Sequence, residues 1–119
     1  MNKNNLYTLL DAIREKPYLY LGNRHLSTLH YTINGYKLYC LHNEIDENLI
    51  PKWNDFHDFV AVQLNYAEST TGYKNMILEK NEFDEEKGLI KFYELFDLFR
   101  KLNDESILIS THPVLPLLL

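Results

Sequence analysis

The stretch from Lys16 to Tyr36 constrains this chain most. Pro17 to Gly22 (Pro-Tyr-Leu-Tyr-Leu-Gly) forms a stiff apolar link. Pro17 biases Lys16 away from helix, so a preceding helix should end there. Gly22 permits a positive φ. Leu26, Leu29, Ile33, Tyr36 and Cys40 then recur every three or four residues, the mark of a continuous helical seam. The other helices are expected to pack around that seam. Gly35 lies inside the pattern and costs about 1 kcal/mol against Ala. It either allows another helix to approach closely or splits the helix.

Similar periodicity recurs along the chain. Residues 5–16 read as a first helix, with Leu6, Leu9, Leu10 and Ile13 on one face and Asn4 or Asn5 as its cap. The link at 18–21 reads as extended or turn-like, and a second helix covers about 25–43. Glu44 to Ile50 is an acidic connection closed by Pro51. A third helix over 53–66 shows Trp53, Phe56, Val60 and Leu64 on one face, broadened by Phe59 and Val62. Thr71 is a candidate cap for a fourth helix, 72–80, with Tyr73, Met76 and Ile77 inward. Asp84, followed by Glu85 and Glu86, suits the N-terminus of a fifth helix over 85–102, because the helix dipole favours negative charge there. Leu89, Phe92, Phe96 and Phe99 form its core stripe, with Tyr93 beside it. Ser106 to Thr111 reads as a short extended segment, and Pro113 and Pro116 keep the tail from being helical. The expected fold is all-α: one compact domain over 1–119, four to five helices, and a short extended C-terminal tail.

Length and charge narrow the functions. The 119 residues suffice for one core without disulfides or metal. A net charge of −5 argues against general nucleic-acid binding, which needs clustered Lys and Arg, and favours a basic partner. No apolar run reaches the roughly 20 residues of a membrane helix. A polar start at Met1–Asn5 and a lone Cys40 point to the reducing cytoplasm.

No residue pattern defends a catalytic site, a metal site or a cofactor. The histidines at 25, 30, 42, 57 and 112 include no i, i+4 pair of zinc type. Cys40 lies on the helical seam, where a buried, inert thiol is the expected state. Neither a Walker loop nor a dinucleotide fingerprint is present. The run Ala12 to Gly22 is similar to Val-Arg-Lys-Arg-Pro-Gly-Met-Tyr-Ile-Gly in type II topoisomerase ATPase subunits. There the following helix carries a Glu and an Asn for catalysis and magnesium. Here it offers Asn34 without a suitably placed Glu, and the Gly-rich ATP-lid motifs are absent.

A second likeness covers about residues 9–99. Lys16 to Gly22, Leu26-Ser27-Thr28-Leu29 and Ile33-Asn34-Gly35-Tyr36 resemble the Arg-Pro-x-Met-Tyr-Leu-Gly…Leu…Leu-x-Gly-Tyr pattern of a group of small bacterial proteins. Phe56 to Val60, Ser69 to Ile77 and Phe92 to Phe96 resemble the middle and end of that pattern. The group is associated with immunity proteins encoded beside polymorphic or contact-dependent growth-inhibition toxins. Tyr18 and Leu19 replace its usual Gly-Met pair.

The resemblance, the small size without an active site and the acidic balance together lead to the expectation of a non-enzymatic immunity protein that blocks a cognate, nuclease-type toxin by direct contact. A basic toxin cleft would meet carboxylates standing in for phosphates. The candidate toxin-facing residues are Glu44, Asp46 and Glu47 in one acidic run and Glu79, Glu82, Asp84, Glu85 and Glu86 in another. Tyr66 and Tyr73 are candidate anchors. Both acidic runs also read as solvated loops and helix ends. The alternative is a structural or regulatory interaction module, including a homodimer. It is motivated by the apolar tail Val114 to Leu119, which packs either on its own domain or on a partner.

Overall fold

Helix α1 (Leu6–Glu15) starts at a reciprocal cap. The Asn5 side chain accepts from the Thr8 N–H at 3.0 Å, and the Thr8 hydroxyl accepts from the Asn5 N–H at 2.8 Å. Leu6, Leu10 and Ile13 are buried, and Leu9 packs at the core's edge. The computed structural model describes residues 4–67 and 71–102. The expected segment at 106–111 and the tail at 114–119 lie outside the described residues.

Pro17 does end α1, but it also starts a helix. Residues expected to be extended form the short α2 (Pro17–Leu21), with the proline at its first position. No intrahelical N–H is required there, and the fixed φ suits helix. Gly22 closes α2 at φ 78°, donating to the Tyr18 carbonyl.

Helix α3 (Leu26–His42) is unbroken through Gly35. Its seam is buried only over its first half, at Leu26, Leu29 and Ile33. Tyr36 and Cys40 are half-buried against the following loop. Apart from its own helix, nothing among the described residues lies within 4 Å of where a Gly35 Cβ would stand, so no described helix packs against this glycine. The close approach is at Gly88, where a Cβ would stand 3.0 Å from Leu78 and 3.3 Å from Leu26.

The third expected helix is shorter than its pattern. A 3-10 turn (Trp53–Asp55) leads into α4 (Phe56–Gln63), and Asn65 turns the chain at φ 63°. Val62 is exposed instead of broadening the buried face. Helices α5 (Gly72–Lys80) and α6 (Glu85–Lys101) match the pattern within a residue. The described residues are therefore all-α, with six α-helices and no strand.

The packing centre is aromatic and lies between α4, α5 and α6, not on α3. Phe56 stacks on Trp53 at 4.8 Å and meets Phe92 and Tyr73 edge-on at 5.4 and 5.3 Å. Each such pair adds about 0.5–1.5 kcal/mol beyond burial. Polar ties fasten α1 to α6. Arg100 grips Asp11 with two nitrogens at 2.7 and 3.2 Å, and Arg14 reaches Asp97 at 2.5 Å. The buried Tyr93 hydroxyl donates to the Leu10 carbonyl at 2.7 Å.

Candidate partner interface

A helix begins with backbone N–H groups that lack intrahelical partners. Much of the acidic sequence is used on them. Glu47, in the loop after α3, accepts from the Leu6 N–H at 2.9 Å, in the first turn of α1. It also accepts from the Tyr36 hydroxyl and lies 3.8 Å from the Cys40 sulfur. Glu85 accepts from the Ser27 N–H at 2.8 Å and from its hydroxyl at 2.7 Å, at the start of α3. Residue His25, in the cap position of α3, supplies no side-chain bond of its own. Asp84 caps α6, accepting from the Glu86 and Lys87 N–H groups. Glu79 receives the Tyr66 hydroxyl, which that bond and burial push up to about 12.

The remaining acids face outward. Glu44, Asp46, Glu82 and Glu86 are exposed. Asp46 accepts from the Asn48 N–H, and Glu82 stands 3.8 Å from Lys87. Asp46 and Glu47 line a groove of about 790 Å³ together with Leu6, Tyr36, Ile45, Ile50 and Trp53. Ile50 is exposed there as well.

The two acidic runs do not form one patch. Glu85 sits at the N-terminus of α3, and Glu44 to Glu47 follow its C-terminus. At about 1.5 Å per residue, the 17 residues between them span roughly 26 Å.

Neither tyrosine is a free anchor. Tyr73 is 2% exposed, with its hydroxyl 2.9 Å from His30 Nδ1. The register that turns Met76 and Ile77 inward turns Tyr73 inward too, so it is corrected from anchor to core. Tyr66 packs at the core's edge, with Lys80 over its ring at 4.9 Å. The exposed aromatic within the acidic runs is Phe83, at 70%. Its N–H bonds the Leu78 carbonyl at 2.8 Å, and both Glu82 and Phe83 take positive φ. This turn holds a phenylalanine outward between two acids. One signal for it was present in the sequence: an aromatic falling outside every helical seam, inside an acidic run.

Cys40, His30 and His57 are all biased toward their neutral forms. Burial, reinforced by the charge of Glu47, pushes the Cys40 thiol up, the opposite of nucleophilic activation. His30 and His57 are held below the ordinary histidine value, chiefly by burial. His57 Nδ1 accepts the Tyr73 N–H at 3.2 Å, taking the role expected of Thr71. Among the described residues, no group of three or more His, Cys, Asp or Glu is placed to hold a metal ion. No described helix is long and apolar enough to cross a membrane.

Comparison with protein-family models, curated proteins and solved structures gave no match.

Proposed function

We propose that this chain is an immunity protein that binds and neutralises a cognate toxin of nuclease type through direct contact. The observation that carries the reading is the turn Glu82–Phe83–Asp84, with Glu86 beside it. It combines exposed negative charge with one outward aromatic ring. Interface energy concentrates in such anchors, while surrounding charge speeds encounter with a basic surface. The sequence likeness to immunity proteins and the net charge of −5 support the same reading. On this reading the complex forms in the cytoplasm, which suits a lone thiol. Glu44 and Asp46 remain a second candidate edge at the far end of α3.

The test is coexpression with the toxin encoded beside it, followed by isolation of the complex. Protection and a stable complex are expected. A toxin that stays lethal, with no complex recovered, overturns the proposal. Phe83→Ala is expected to weaken binding by about thirtyfold. Glu82→Lys with Glu86→Lys should slow association and flatten its salt dependence. Unchanged affinity and salt dependence in these variants would remove the turn from the interface.

A further inference from the structure

Helix α3 is apolar on two opposite sides. One side, Leu26, Leu29 and Ile33, is in the core. The opposite side repeats the same spacing, with Tyr31, Gly35, Leu38 and His42 at i, i+4, i+7 and i+11. Tyr31 and Leu38 are each 64% exposed, and Tyr39 and Leu41 flank them at 58% and 75%. Lys74 Nζ lies over the Tyr31 ring at 5.6 Å, and His30 meets that ring edge-to-face at 5.1 Å. Gly35, disfavoured in a helix relative to Ala, sits mid-seam with open space beside it. It fits the close approach of a second helix, and none of the described helices fills that place.

The charges at the ends of α3 select the occupant. Arg24 comes just before the helix and enters none of the ion pairs among the described residues. Glu44 and Asp46 come just after it and are exposed. We propose that the outer face of α3 is a homodimer seam, in which two α3 helices pack antiparallel about a two-fold axis at Gly35. That arrangement sets Arg24 of each copy against the Glu44–Asp46 turn of the other. It also sets Tyr31 against Tyr39 and opposes the two helix dipoles. A parallel pairing would stack like charges at both ends. This surface is distinct from the Glu82–Glu86 turn, and the two proposals stand or fall separately.

Sedimentation equilibrium of the purified chain tests it over a range of concentration and salt. A dimer that weakens with salt is expected. Leu38→Glu should give a monomer that keeps its helical content, since the side chain is exposed within one chain. Arg24→Glu should weaken self-association roughly tenfold, as two symmetric ion pairs are lost. Adding Asp46→Arg to Arg24→Glu should restore it. Glu82→Lys with Glu86→Lys should leave it unchanged. A wild-type chain that stays monomeric, a Leu38→Glu dimer, or a double variant no better than Arg24→Glu would each overturn the seam. A wild-type monomer whose α3 seam is covered in a complex with another protein overturns it in favour of a foreign occupant.

Discussion

Glu85 and Glu86 are adjacent in sequence and opposite in role. Glu85 bridges 58 residues of chain to hold the first turn of α3 through Ser27. Glu86 is exposed, and its backbone N–H donates to Asp84. The other acidic run divides the same way. Glu47 ties α1 to α3, and Glu44 faces solvent. A run of acids is therefore not one object. Some carboxylates are acceptors for helix ends, and the others constitute the surface charge available to a partner.

The largest effect should come from Glu47. Glu47→Ala removes the acceptor for the Leu6 N–H and the Tyr36 hydroxyl, and should cost about 2–3 kcal/mol. Glu44→Ala should stay within about 0.5 kcal/mol of wild type. Urea unfolding reads both, and equal losses would break the distinction. Asp84→Ala should cost about 1 kcal/mol, the usual worth of an N-cap, while Glu82→Ala should be nearly silent. A silent Asp84→Ala would move Asp84 to the solvent-facing class.

A smaller effect sharpens the contrast, because one helix end is held by a neutral nitrogen instead of a carboxylate. His57 accepts from the Tyr73 N–H only while Nδ1 is unprotonated. Burial lowers the pKa of His57 and of His30; Lys37 adds to this for His57, and Lys74 and Lys37 for His30, while Asp58 opposes it at His57. Below about pH 6.5 the unfolded chain therefore binds protons that the folded chain resists. Stability is full above that pH and falls as pH drops below it. Urea midpoints at pH 7.5 and 5.5 check this, and His57→Gln, which keeps an acceptor without titrating, should reduce the difference. An unchanged difference would remove His57 as its source.

Local chemistry was legible in the sequence, and long-range chemistry was not. The caps at Asn5 and Asp84 act within three residues, so residue type and position reveal them. The carboxylate contacts of Glu47 and Glu85 join positions 41 and 58 residues apart, and no local pattern marks them. Pro17 marks the stop of α1, and a proline is equally suited to open the next helix. Periodicity showed that Tyr36 and Cys40 continue the α3 seam. It did not show that the core ends at Ile33 and that the Glu47 loop meets the rest. For the candidate interface, the sequence identified which acids were available but not which were already in use. Phe83 lies between α5 and α6 and belongs to no helix face, so periodicity does not mark it.

The division of the acids is tested most directly by urea unfolding of Glu85→Ala and Glu86→Ala side by side. Glu85→Ala should lose about 1.5–3 kcal/mol, because the Ser27 N–H and hydroxyl lose a charged acceptor. Glu86→Ala should lose less than about 0.5 kcal/mol. Equal losses, or a Glu85→Ala protein as stable as wild type, would contradict the division.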